Sequence, residues 1–81
     1  MFEKNVNVGS FFEPSEVAML VQTASKYKSR ISLILDEKTA NAKSIMGIIS
    51  LNMQEGQCIK IMAEGEDAHE AVVAIEGFFD R

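Results

Sequence analysis

Ile31-Ser32-Leu33-Ile34-Leu35-Asp36-Glu37-Lys38-Thr39-Ala40-Asn41-Ala42-Lys43-Ser44 decides how this chain is built. Ile31, Leu33 and Leu35 alternate with Ser32 and Ile34, the period of two that marks a strand with one face on a core. Asp36-Glu37-Lys38 is polar enough to reverse the chain, and Thr39 to Ala42 can return as a short partner strand. Ser44 then offers the hydroxyl an N-cap needs, and Ile45, Ile48, Ile49 and Leu51 follow at helical spacing. A hairpin that runs straight into a capped helix is therefore expected here.

Upstream, Phe2, Val6 and Val8 share one face of a short strand that Gly9-Ser10 breaks. Pro14 has no amide donor to lose in a first helical turn, and Ser15 and Glu16 suit that turn. Val17, Leu20, Val21 and Ala24 then form one helical stripe, which runs to about Tyr27. Downstream, Gly56 precedes a strand on which Ile59, Ile61 and Ala63 share a face. Asp67 and Glu70 form a capping-box-like start to a last helix, whose stripe is Ala68, Ala71, Val72, Ile75, Phe78 and Phe79. The order β-α-β-β-α-β-α predicts an α+β fold: a four-stranded antiparallel sheet with three helices on one face and water on the other, an open-faced sandwich. Residues 1–81 are expected to form one domain.

Composition narrows the function. Hydrophobic residues make up 47% of the chain, too many for a disordered segment. Twelve acidic against eight basic residues give a formal charge of −4, which disfavours nucleic acid and anionic membranes as partners. No apolar run approaches the roughly 18 residues of a membrane span, Met1-Phe2-Glu3-Lys4 does not open a signal peptide, and Cys58 has no second cysteine to pair with. A cytoplasmic protein is expected.

The chemistry on offer is sparse. His69 is the only histidine and has no cysteine beside it, so no metal site is expected. Cys58 reads as a semi-exposed thiol on a strand, facing away from Ile59 and Ile61. No Gly-rich phosphate loop of Walker or dinucleotide type exists, so no cofactor is expected. Two places remain. One is the start of the first helix, Ser10-Phe11-Phe12-Glu13-Pro14-Ser15-Glu16, where free amides would favour an anion but Glu13 and Glu16 already supply negative charge. The other is the helix after Ser44. Ile45, Met46, Ile48, Ile49 and Leu51 are more apolar side chains than one stripe can bury, so some should face water as a binding patch.

Val21-Gln22-Thr23-Ala24-Ser25-Lys26-Tyr27 and Lys43-Ser44-Ile45-Met46-Gly47, with Ser50-Leu51 beyond, resemble the HPr family of phosphocarriers and its paralogue Crh. The resemblance extends ungapped from about Val6 through Phe78 and implies the same open-faced sandwich. In that family a Gly-(Ile/Leu)-His-Ala-Arg-Pro-Ala segment opens the first helix, and its histidine relays phosphate from enzyme I to sugar-specific transport proteins. The matching stretch here is Phe11-Phe12-Glu13-Pro14-Ser15-Glu16-Val17. Glu13 stands at the histidine position, Ser15 at the arginine position and Glu16 at the proline position. The resemblance therefore implies a non-enzyme with no catalytic residue, for which enzyme I and the transport proteins are poor partners. A divergent phosphocarrier, or an unmodified scaffold or decoy, are the alternatives, and Glu13 could also imitate a phosphorylated state as a fixed anion.

The serine segment, by contrast, is intact. The resemblance implies phosphorylation of Ser44 by HPr kinase/phosphorylase and docking to a CcpA-type transcription factor of carbon catabolite control. Phe12, Ile45, Met46 and Ile49 are the implied partner-binding residues. Phe11 stands at a family glycine, where a loop that needs positive φ would be strained by roughly 1–2 kcal/mol. Glu37, also at a family glycine, raises the same question in the hairpin.

Overall fold

The computed structural model of the chain describes residues 1–9 and 13–79. Seven elements follow one another: β1 (Phe2–Asn7), α1 (Pro14–Ser25), β2 (Arg30–Leu35), β3 (Lys38–Asn41), α2 (Ile45–Leu51), β4 (Cys58–Glu64) and α3 (Ala68–Glu76). The strands form one antiparallel sheet in the order β1-β4-β2-β3. Two interleaved units generate that order. β1-α1-β2 straddles β4, and β3-α2-β4 straddles β2, so each helix crosses over a strand that belongs to the other unit. Crossovers of the usual right hand would put both helices on one face of the sheet, and buried residues of α1 and α2 do join one core with those of β2 and β4.

Strand alternation decides what that face holds. Ile31, Leu33 and Leu35 of β2 and Ile59, Ile61 and Ala63 of β4 are all buried, and they meet Leu20 and Ala24 of α1, Ile48 and Leu51 of α2, and Ala71, Val72 and Ile75 of α3. Leu33 lies opposite Ile61 and Ile31 opposite Ala63, so the two central strands are in register with their apolar sides together. Ile34, Met62 and Cys58 fall on the opposite face. The first two are half-buried and the cysteine is exposed.

β1 is an edge strand, and its inward face is mixed. Phe2, Lys4 and Val6 pair with Ala63, Ile61 and Ile59, so a lysine occupies a core-side position. Its ammonium reaches Glu76 Oε2 at the end of α3, 2.7 Å away. Phe2, expected on the core face, is on that face but stays exposed at the sheet corner, where its ring meets His69 edge-on at 4.7 Å between centroids. Val8, just past the strand, is buried.

Several boundaries differ from the sequence expectation. α1 ends at Ser25 rather than near Tyr27, because the amides of Lys26 and Tyr27 bond to Thr23 and Ala24 in a tightening last turn. β3 covers Lys38–Asn41, with Ala42 buried just beyond it. α3 ends at Glu76, and Phe78 and Phe79 follow in a turn that still buries Phe79. In the hairpin the left-handed residue is Asp36, at φ 55°, not Glu37. Aspartate tolerates that region better than most residues do. The strain expected at Glu37 therefore does not arise.

The start of α3 is also built differently. Asp67 is the residue before the helix, but its carboxylate makes no cap bond. Instead Oδ2 accepts the Lys28 amide and Oδ1 the Ser29 amide, each at 2.9 Å, and Oδ1 also accepts the Ser29 hydroxyl. Asp67 is thus a clamp between the α1–β2 loop and the β4–α3 loop, which satisfies the otherwise buried Ser29.

Candidate functional site

Ser44 sits where β3 hands over to α2, and the turn that places it is held by its neighbours. Asn41 Oδ1 accepts the Lys43 amide at 2.8 Å, and Asn41 carbonyl accepts the Ser44 amide at 3.0 Å. Lys43 Nζ donates to the Tyr27 carbonyl at 2.7 Å, which ties this turn to the chain just past α1. Ser44 itself is extended, with φ −116° and ψ 116°, and its Oγ accepts the Gly47 amide at 3.1 Å. That is the N-cap bond its sequence position predicts. Gly47 has little room for anything larger: a Cβ there would lie 3.3 Å from Ser44 Oγ and 3.6 Å from Ala40 Cβ.

The helix behind Ser44 has two apolar faces. Ile48 and Leu51 are buried, whereas Ile45, Met46 and Ile49 are 46%, 75% and 52% exposed. These three lie together on the outer face of a seven-residue helix whose first residue follows the serine hydroxyl directly. Burying them on a partner would be favourable at roughly 25 cal/mol per Å² of apolar surface removed from water. Met19 on α1 is a further exposed apolar side chain, off the stripe of Val17, Leu20, Val21 and Ala24.

The mouth of α1 is furnished with carboxylates. Glu13 is the N-cap residue, in an extended conformation, and Pro14 is the first helical residue. The Glu16 carboxylate reaches back, its Oε1 accepting the Glu13 amide at 3.2 Å, while the Glu13 carbonyl accepts the amides of Glu16 and Val17. An anion approaching these amides would meet two carboxylates of its own sign. Glu13 and Ser15 are exposed, and neither brings an imidazole or a guanidinium to the place. Phe12, named above as a partner-binding residue, lies outside the described residues, as do Ser10 and Phe11.

The remaining reactive side chains stand apart. His69 is exposed in the first turn of α3, stacked edge-on against Phe2 and 4.0 Å from Glu70 Oε1. Cys58 is exposed at the start of β4. The Asp67 carboxylate is held below its ordinary range, first by the Ser29 hydroxyl, then by the Lys28 amide. Sequence reasoning gave Asp67 a capping role, and no local signal could have revealed partners nearly forty positions away.

An open-faced β-α-β-β-α-β-α sandwich with a capped serine before a short apolar helix is the arrangement that the resemblance to phosphocarriers implies. The family described as "PTS HPr component phosphorylation site" matches residues 15–81, so its match begins two positions past Glu13. Over the whole chain, the HPr-like protein Crh of Halalkalibacterium halodurans is 37% identical, with 99% of that protein covered. The solved structure of HPr-C-His from Thermoanaerobacter tengcongensis superposes with a TM-score of 0.92 at 39% identity, covering 99% of this chain and 92% of that one. Crh of Bacillus subtilis, described as a catabolite repression protein that forms a swapped, intertwined dimer, gives 0.78 at 34% identity over 91% and 83% of the two chains. The chain belongs to the HPr family of the sugar phosphotransferase system, whose members are phosphocarriers rather than enzymes.

Proposed function

We propose that this protein is a regulatory, Crh-like member of the family, unable to relay phosphate through a histidine and switched by phosphorylation of Ser44. The observation that carries the reading is the geometry at Ser44. Its hydroxyl is half-buried at the N-terminal end of α2, where it accepts a 3.1 Å bond from the Gly47 amide directly before the exposed Ile45, Met46 and Ile49. A phosphoryl group there adds nearly two negative charges beside free helix amides and at the rim of an apolar patch. A partner with an apolar groove and basic rim would then read both features together.

The same reading accounts for the mouth of α1. Phosphohistidine formation needs an imidazole nitrogen as nucleophile and donors to hold the transferred group. Glu13 offers a weak carboxylate nucleophile, Ser15 no charge and Glu16 a repelling one. HPr kinase/phosphorylase and a CcpA-type transcription factor are the proposed partners, and the cytoplasm is the proposed location. No helix among the described residues is long and apolar enough to cross a membrane.

Incubation with HPr kinase and ATP, followed by phosphopeptide mapping, tests the switch. One phosphate on Ser44, lost in Ser44→Ala, is the expected result. An unmodified chain under conditions that phosphorylate an ordinary HPr would overturn it. The apolar patch is already exposed without modification, which favours a second reading as a scaffold for the same partners. Equal partner affinity for wild type and Ser44→Asp in a calorimetric titration would select that reading.

A further inference from the structure

At the end of the sheet where β2 begins and β3 and β4 finish, Lys28, Arg30, Asn41, Lys43 and Glu64 surround a hollow of about 440 Å³. Three of the chain's eight basic residues gather there, against one carboxylate, in a protein whose formal charge is −4. None of the three is ion-paired among the described residues, where the pairs formed are Lys4 with Glu76, Lys60 with Glu3 and His69 with Glu70. Arg30 lies opposite Glu64 across the β2–β4 ladder without closing on it. The nearby Asp67 carboxylate is turned to the backbone of Lys28 and Ser29 instead.

Three like charges beside a single carboxylate leave a net positive charge that repels itself, so the cluster is stabilised by an anion that enters it. Its members are also partly fixed in place. Lys43 is anchored twice, by its amide to Asn41 and by its ammonium to Tyr27, and two ammonium hydrogens remain to donate. The same contact occupies Asn41 Oδ1, which leaves the amide –NH₂ of Asn41 as a donor toward the hollow. Arg30 adds a planar fork suited to two oxygens of one oxyanion. Glu64 is the exception, an acceptor that suits a hydroxyl.

We infer that this hollow binds a small phosphate monoester whose organic part carries hydroxyl groups. The phosphoryl oxygens would take the Lys28, Arg30 and Lys43 donors, and a hydroxyl would donate to Glu64. The volume is in the range of small-ligand sites. Among the described residues its lining is polar and charged throughout, which suits a small polar anion better than an apolar group. Its lining shares no residue with the apolar patch of α2, and Lys43 directly precedes Ser44.

Titration of the ¹⁵N-labelled protein with glycerol 1-phosphate at constant ionic strength tests this. Saturable shifts at the amides of Lys28, Arg30, Lys43 and Glu64 are expected, with no such shifts from glycerol. Lys28→Gln and Arg30→Gln, both at exposed positions, should each weaken binding about tenfold, while Lys38→Gln at the far end of the sheet should leave it unchanged. Matching thermal melts establish that the variants fold. Identical shifts with sodium chloride, or unchanged curves in both variants, would overturn the assignment. So would a phosphoserine peptide that displaces glycerol 1-phosphate at equal concentration, because the site would then belong to a macromolecule.

Discussion

Replacing Ser44 separates its structural role from its regulatory one. Ser44→Ala removes the acceptor for the Gly47 amide and leaves one of the first-turn donors of α2 to water. Losing an N-cap of this kind costs about 1 kcal/mol. The helix should survive, because Ile48 and Leu51 are 1% and 2% exposed and stay locked in the core. In a domain of this size, 1 kcal/mol corresponds to a drop of about 4–8 °C in Tm. Ser44→Asp behaves differently, since aspartate caps about as well as serine and its charge faces the positive end of the helix. Its stability should lie within about 0.5 kcal/mol of wild type. Urea melts followed by circular dichroism give both values, with an unchanged m-value as the sign that only stability has moved. If Ser44→Ala is as stable as wild type, the cap bond carries no weight. If Ser44→Asp loses as much as Ser44→Ala, an anion is not tolerated at this position, and the phosphoserine proposal loses its physical basis.

Three further perturbations probe the scaffold. Gly65 has φ 149°, and a Cβ there would lie 2.8 Å from Ser29 Cα, so Gly65→Ala should destabilise by about 2–4 kcal/mol in a chemical melt. Asp67 is held below the ordinary carboxylate range, so its contribution is complete above about pH 4 and is lost as the pH falls through the lowered value. Tm should therefore fall on acidification more steeply in wild type than in Asp67→Asn, as scanning calorimetry from neutral to acid pH would register. Ile61→Ala, at a fully buried site between β1 and β2, should cost about 2–5 kcal/mol, a large share of the roughly 4–12 kcal/mol expected for a chain of this length. Equilibrium unfolding in urea measures it directly.

The fold was legible wherever a single period governed a segment. Ile31, Leu33 and Leu35 on β2 and Ile59, Ile61 and Ala63 on β4 alternate without interruption, and all six are buried. Ser44 was legible for the same reason, since a cap is a local device three residues from its partner. What escaped the sequence was non-local. Asp67 looked like a cap and became a clamp, because amides presented by the α1–β2 loop were stronger partners than its own helix. Lys4 occupies a core-side position only because Glu76 is brought next to it at the sheet edge. The cluster of Lys28, Arg30 and Lys43 is spread over a loop, a strand and a turn, and only the antiparallel register gathers it. The division of α2 into a buried and an exposed face was foreseeable from an excess of apolar residues, although the sequence alone did not say which ones the core would take.

The proposed loss of phosphate relay is tested most directly by supplying radiolabelled phosphoenolpyruvate and enzyme I, with an ordinary HPr as the positive control. The control should take up label and this chain none, because Glu13 and its neighbours provide no imidazole at the mouth of α1. An acid-labile phosphoryl adduct on Glu13, or on any residue near it, would contradict that and make the protein a working carrier.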